Sequence, residues 1–335
     1  MELQQLHQEN KNLFIGYAES RIGGRPENQD SYGFEESDWG FLVTVCDGMG
    51  GGPGGKTAST IAVKEILAGV ATASKDEERS NILIKAIRRA NMAIIEAGNE
   101  NPALKGMGST ATVLLLTEQS AHVAFVGDSR VYQLRNRSKV FRTFDHSMVF
   151  DLVKQHVITE EQARLSAQSN IITRALGITP DVKVDVFELP YEKGDRFVLC
   201  SDGIHGTMPE KQLLKMLTSK KPVGMVTDYV ATYVDNLGRT SGDGYDNLTL
   251  AVVETKIESR LRPVMSKKTK SVLMMMAAIC IVSIAVNIVQ SVRYHALTEK
   301  TISRDSLEQY CHRDSVKKVV KSYQDSIAKL KKNNN

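Results

Sequence analysis

Four short apolar stretches carry an acidic residue at one edge. Residues 40–46 run into Asp47-Gly48, residues 121–126 into Gly127-Asp128, and residues 196–200 into Ser201-Asp202-Gly203; Asp246-Asn247 stands just ahead of residues 248–253. Each stretch is β-branched or aromatic-rich and of strand length. An acid at a strand end is held by the sheet and presented to the loop region, so several such ends can meet in one cleft. Carboxylates brought together repel one another unless cations sit between them. Hard divalent ions such as Mg²⁺ and Mn²⁺ take carboxylates, backbone carbonyls and water as ligands. Gly48 adds to the pattern: without a side chain it can bring its own carbonyl to an ion or turn the chain with positive φ. One Asp-Gly reads as a turn, but four acid-edged strands, three with a neighbouring glycine, point to a metal site.

A second chemistry competes for the same loop. Gly50 to Gly55 followed by Lys56 and Thr57 matches the spacing of a phosphate-binding GxxxxGK[ST] loop, with a strand before it and a helix after it. A nucleotide-binding protein therefore stays open as an alternative. It uses neither Asp47-Gly48 nor the other strand-end acids.

The elements that must position these residues are legible in outline. Residues 57–70 place Ala58, Ile61, Ala62, Ile66 and Leu67 on one helical face, and residues 80–97 do the same with Ile82, Leu83, Ala86, Ile87, Ala90, Ala93 and Ile94. Strands, then a helix pair, then more strands predict an α+β layered sandwich rather than alternating βαβ units.

The chain has 335 residues, 41% of them hydrophobic, with 43 basic and 39 acidic side chains and a net charge of +4. That composition excludes a collagen, a disulfide-dense scaffold and a wholly disordered chain. Cys46, Cys200, Cys280 and Cys311 are far apart without CxxC spacing, which argues against a zinc cluster or a disulfide framework and for a reducing compartment. The polar start, MELQQLHQENKNL, gives no sign of a secretory signal peptide.

The average hides a split. In residues 271–291, 16 of 21 are apolar, and no charge falls between Lys270 and Arg293. Such a helix spans about 31 Å, which predicts a transmembrane segment rather than a buried core helix. Residues 1–255 carry a net charge of −6, while 256–270 and 292–335 carry +5 each. Nucleic-acid binding by the acidic body thereby loses its electrostatic basis. The cations just before the apolar segment place the body on the cytoplasmic side. In the tail, Val316, Val320, Tyr323, Ile327 and Leu330 alternate steps of four and three; a short coiled coil, a basic amphipathic helix and a solvated tail all remain open.

The acid-edged strands are part of a longer resemblance over about residues 12–255. In order it comprises Arg25-Pro26-Glu27-Asn28-Gln29-Asp30, Val45-Cys46-Asp47-Gly48-Met49-Gly50-Gly51 with Ala58-Ser59, Gly108-Ser109-Thr110-Ala111 and Val126-Gly127-Asp128-Ser129-Arg130. Asp145-His146-Ser147, Thr173-Arg174-Ala175-Leu176-Gly177, Cys200-Ser201-Asp202-Gly203 and Asp246-Asn247-Leu248-Thr249 follow. Together these resemble the metal-dependent type 2C Ser/Thr protein phosphatases, in their bacterial branch. The resemblance implies a four-layer α-β-β-α sandwich, two antiparallel sheets flanked by helix pairs, with two Mn²⁺ or Mg²⁺ ions in a cleft at one edge. Asp47 would bridge both ions, the Gly48 carbonyl would serve one, and Asp202 and Asp246 would complete the other. Asp128, with Asp202, matches the place of a third, weaker ion. Arg25 would grip the substrate phosphate and Asp30 would hold the attacking water, with Gln29 and Asn247 one step behind the ligands. Arg130 and His146 read as structural, and Cys46 and Cys200 as buried strand residues without a catalytic task. The implied reaction is in-line attack of a metal-activated water on phosphoserine or phosphothreonine.

Three departures stand out. Gln29 replaces a residue that is often acidic, Gly52 and Lys56 stand where bacterial relatives often carry His and Glu, and Met49 stands where eukaryotic relatives carry a His proposed as general acid. Residues 148–176 would form a flap beside the cleft, with Thr159 capping a helix. The expected organisation is a catalytic domain over 12–255, a basic linker over 256–270, a transmembrane helix over 271–291 and a basic tail over 292–335. The expected function is that of a single-pass, membrane-anchored phosphatase acting on phosphorylated proteins, a Ser/Thr kinase and its targets among them. The alternatives are a catalytically weak or inactive relative that recognises phosphoproteins, and a phosphatase of small esters.

Overall fold

The computed structural model describes residues 4–6, 13–37, 40–50, 54–74, 76–242, 244–261 and 267–332. Gly52, residues 262–266 of the basic linker and the last three residues of the tail lie outside the described residues. The apolar, β-branched runs form strands, and the alanine-rich and isoleucine-rich stretches between them form helices. In chain order the elements are β1 (Gln4–Leu6), β2 (Phe14–Arg21), β3 (Asp30–Ser37), β4 (Gly40–Met49), α1 (Gly54–Ala71), α2 (Arg79–Glu100), β5 (Gly108–Ser109), β6 (Ala111–Leu116), β7 (Ala121–Val126), β8 (Arg130–Arg135) and β9 (Ser138–Arg142). Then come α3 (Met148–Lys154), α4 (Glu160–Arg164), β10 (Asp185–Leu189), β11 (Arg196–Cys200), α5 (Asp202–His205), α6 (Glu210–Leu217), α7 (Val223–Ser241), β12 (Leu248–Thr255) and α8 (Lys267–Lys332).

The strands make two antiparallel sheets, one in the order β1-β2-β12-β11-β8-β9 and one in the order β10-β7-β6-β4-β3, with β5 added to β4. Phe14, Phe41, Val45, Phe197 and Val253 are among the residues buried between the sheets. α1 and α2 bury Ala58, Ile66, Ile87 and Ile94 on the outer face of the second sheet. α6 and α7 bury Leu213, Val226, Val230 and Val234 on the first. The layered sandwich expected from the sequence is thus present. β4, which precedes the glycine-rich run, pairs antiparallel with both neighbours. A phosphate-binding loop of the GK[ST] kind opens a parallel βαβ unit, so the nucleotide-binding alternative fails on topology.

Register brings the acids to one edge. Asp30 at the start of β3 faces Asp47 near the end of β4. β7 ends just before Asp128, β11 ends at Cys200 opposite Arg130, and β12 begins just after Asp246 and Asn247. The glycines at the head of α1 allow the helix to press on these strand ends. A Cβ on Gly48 would stand 2.0 Å from the Gly55 carbonyl oxygen, so no other residue fits there.

The chain divides into two units, residues 1–263 and 264–335. The second unit is one helix, α8, of 66 residues, about 100 Å long. Its stretch Met274–His295 has a mean hydropathy of 2.1 and is long and apolar enough to cross a membrane. The helix runs on without a break from the end of the linker through most of the tail, where Val316, Val320 and Tyr323 are exposed.

Candidate active site

Arg25, Gln29, Asp47, Gly48, Asp128, Asp202, Asp246 and Asn247 line one cleft of about 500 Å³, joined there by Asn170 and Ile172 of the flap; Asp30 is not in its lining. The β2–β3 loop carries Arg25 to its mouth. Gly23, at φ 64, lets this loop lie against the chain at Asp246, where any side chain would strike the Asp246 carbonyl. Asn247 fastens the same loop: its amide donates to the carbonyls of Ile22 (2.6 Å) and Glu27 (3.0 Å), and its Oδ1 accepts from the Gln29 N–H at 2.8 Å. Arg25 Nη2 reaches Asp246 Oδ2 at 3.2 Å in a half-exposed pair.

The floor is acidic. Asp47 is anchored through its backbone, its N–H donating to Thr110 Oγ1 at 2.9 Å and its carbonyl accepting from the Thr110 N–H at 2.8 Å. Burial holds the Asp47 carboxyl well above the usual carboxylate range, and the charges of Asp30, Asp202, Asp128 and Asp246 push it further. Burial likewise raises Asp30 to about 6 and Asp202 to about 7, with Asp246 as the leading repulsive charge on each. Asp128 is held well above its usual range by burial and by Asp202. Asp30 Oδ2 accepts from Ser201 Oγ at 2.8 Å, while Asp30 Oδ1 and Asp202 Oδ1 are buried without a hydrogen-bond partner.

Unpartnered buried carboxylate oxygens are costly unless a cation takes them up. The donor set of carboxylates and a glycine carbonyl suits a hard divalent ion. Among the described residues no three His, Cys, Asp or Glu side chains already close into a ligand shell. An open set of this kind fits an ion that keeps several waters.

The chain matches the family described as Protein phosphatase 2C over residues 19–250. It belongs to the protein phosphatase 2C family. It is 35% identical over 246 residues to serine/threonine phosphatase stp of Listeria monocytogenes, across 71% of this chain and 94% of that one. The crystal structure of serine/threonine phosphatase Stp1 from Staphylococcus aureus aligns with a TM-score of 0.67 at 28% identity, over 74% of this chain and 97% of that chain. The catalytic domain of the serine/threonine protein phosphatase PstP, solved in complex with two manganese ions, aligns with a TM-score of 0.60 at 29% identity, over 72% and 97%. The chain is accordingly a protein serine/threonine phosphatase, a hydrolase of phosphorylated proteins.

Around the cleft of this type 2C phosphatase, a further layer of residues serves the fold. Arg130 forms a two-pronged pair with Asp145, at 2.8 and 2.7 Å, and both are buried. His146 Nδ1 accepts from the Gly127 N–H at 3.1 Å, which leaves Nε2 to face Asp185 at 3.1 Å. Both residues are structural, as read from the sequence. Burial pushes the Cys46 and Cys200 thiols up to about 12, so neither is a nucleophile. Lys56 Nζ donates to the Asp30 carbonyl at 2.8 Å and to Ser31 Oγ at 3.1 Å, turned back on β3. In the flap, Thr159 caps α4 in a reciprocal pair with Gln162, and Arg164 Nη1 ties α4 to the Gly206 carbonyl at 3.1 Å. Ser201 and Thr110 lay within the quoted motifs without a role assigned, and nothing in the sequence marks Asn170.

Proposed function

We propose that this phosphatase works with two divalent ions, Mn²⁺ or Mg²⁺, and is held at a membrane by residues 271–291. The observation that carries the metal reading is the pair of buried, unpartnered oxygens on Asp30 and Asp202 beside Asp47. Asp47, the Gly48 carbonyl, Asp202 and Asp246 would hold the two ions, with Asp128 and Asp202 available to a third, weaker one. When bound, the ions lower the pKa of a water and neutralise charge on the phosphoryl group. PstP with its two manganese ions is the precedent among similar structures.

The chain's own residues supply the rest. Arg25 offers a planar fork to two phosphate oxygens. Its present pair with Asp246 is half-exposed and therefore weak, so a phosphate dianion can replace it. Asp30 Oδ1 is the acceptor that orients the attacking water, held in place by Ser201. Met49 lines the cleft, and among the described residues of its lining there is no His or Lys, which favours water as the proton donor to the departing Ser or Thr oxygen.

Membrane anchoring is supported by the uncharged run and by the exposed Ile279, Ile281, Ile284 and Ile288 of α8. Left in water, such a surface is costly. Six cations in 256–270 favour a cytoplasmic catalytic domain. Tethering raises the local concentration of substrates on the same surface, a Ser/Thr kinase and its targets among them.

The test is hydrolysis of a phosphothreonine peptide by the full chain with Mn²⁺, with Mg²⁺ and with chelator, beside Asp202→Asn and with calorimetric Mn²⁺ titration. Turnover that needs metal and is lost in the variant is expected. Mn²⁺ binding without turnover would instead mark a phosphoprotein-binding relative. Carbonate extraction of membranes, comparing the full chain with one ending at residue 261, tests the anchor.

A further inference from the structure

The catalytic domain is acidic, with 27 basic against 33 acidic residues over 1–255, and at its end remote from the cleft most cations are paired. Arg135 holds Asp195 and Glu192, Arg196 holds Glu254, and Lys139 and Arg142 share Glu210. Between these pairs lies a recess of about 330 Å³, bounded by the β8–β9 turn, Gly194 and the α6–α7 connection. Two cations of its lining, Arg137 and Lys220, have no acidic partner among the described residues.

Arg137 is also conformationally disfavoured. It follows Asn136 in a two-residue turn with φ of 68 and 47, and the second position of such a turn favours glycine. An L-residue kept there against its preference, with an unpaired charge, points to a task outside the fold. Lys220 is equally well placed, because Arg196 donates to the carbonyls of Leu217, Ser219 and Lys221 and so fixes its loop.

This is also the end at which the polypeptide leaves the domain. Thr255 exchanges backbone hydrogen bonds with Gly194 and Asp195, and the Arg260 and Leu261 N–H groups donate to Glu118 and Gln119 at the β6–β7 turn. The sequence continues with Arg262, Lys267, Lys268 and Lys270, then the uncharged run.

We propose that the recess receives the phosphate of an anionic lipid headgroup through Arg137 and Lys220, so that the rim carrying these two cations sits on the bilayer. The inference rests on the membrane anchoring proposed above. A guanidinium fork and an ammonium on a preformed rim match a phosphodiester. An anionic leaflet attracts each such cation by a factor of about five.

The experiment uses the full chain in nanodiscs, with Cys280 and Cys311 replaced by serine and an environment-sensitive fluorophore on Ser138→Cys. Cys46 and Cys200 are buried and stay unlabelled. Headgroup-quencher contact is expected in discs containing phosphatidylglycerol and not in pure phosphatidylcholine. Arg137→Gly with Lys220→Ala should weaken that contact about 25-fold while phosphopeptide hydrolysis stays unchanged. Equal quenching in both lipids, or no effect of the two substitutions, overturns the proposal. So does a response to inorganic phosphate in phosphatidylcholine discs with none to phosphatidylglycerol, which would assign the recess to a soluble phosphate. A carbonate-resistant chain without quenching refutes the recess and leaves the anchor standing. A chain released by carbonate refutes the anchor, and the recess proposal with it.

Discussion

Asp145 is buried and Asp202 half-buried with its Oδ1 shut off from solvent, and their surroundings are opposite. Asp145 lies against the two prongs of Arg130, and every strong charge near it belongs to the chain. Asp202 faces Asp47, Asp128 and Asp246 with one oxygen unpartnered. At the far end of the sandwich the same contrast recurs with the sign reversed: Arg196 is answered by Glu254, and Arg137 by no acid among the described residues. Charge that the chain neutralises itself holds the fold together. Charge that it leaves open is what both proposals above rest on.

The largest effect that would break this distinction is on catalysis. Asp202→Asn should lower phosphopeptide turnover by about 10³-fold, yet leave the melting temperature in chelator unchanged or higher, because it removes a repelled charge. Asp145→Ala should do the reverse in urea unfolding, costing about 3–5 kcal/mol by stranding Arg130 in the interior. If the two variants behaved alike, the division between paired and unpaired acids would have no meaning.

The pH dependence sharpens the same contrast. Folding raises Asp30 from 3.8 to about 6 and Asp202 from 3.8 to about 7. Between the unfolded and folded values the native state therefore binds more protons than the unfolded one, and stability falls as pH rises. In chelator the melting temperature should drop as pH climbs from about 5 to 8. Saturating Mn²⁺ should flatten that slope. A slope that persists with Mn²⁺ would mean these acids are not where the ion binds.

Much of the candidate site was legible because its signals are local. An apolar run ending in Asp-Gly announces itself within nine residues, and Thr159 followed by Glu160 and Glu161 spells a helix start. Arg25 needed the family resemblance, since it does not stand out by composition, whereas Asp246 was marked by the strand that follows it. What stayed hidden is held by distant partners. Ser201 reaches Asp30 across 171 positions, and Asn247 ties the loop at Ile22 across 225. α7 is rich in valine, threonine and glycine, whose helical propensity is low; burial of Val226, Val230 and Val234 at steps of four holds it helical. β9 and β10 are edge strands with exposed, mixed residues, so their periodicity is weak.

Two smaller effects test the open charges individually. Gln29→Glu should lower the Mn²⁺ concentration for half-maximal activity, and the calorimetric dissociation constant with it, by about 3- to 10-fold, since it adds a carboxylate near the ions. An unchanged titration would remove Gln29 from the account of metal affinity. Arg137→Gly should raise the stability of the domain by about 1 kcal/mol, or about 2–4 °C, by relieving a left-handed residue, without altering turnover.

β12 is the last strand of the domain in sequence, but it lies between β2 and β11, inside its sheet. It also places Asp246 and Asn247, and its Thr249 meets Ser20 from β2 at 2.7 Å. On the ribosome, then, the first sheet cannot close until residue 255 has emerged, roughly 10–50 s after initiation at ordinary elongation rates. A nascent or prematurely stopped chain lacks the strand that joins its two halves and one of its four acids. Chains stopped before residue 246 should therefore show no phosphopeptide hydrolysis, so that activity begins only once the whole first sheet has been made.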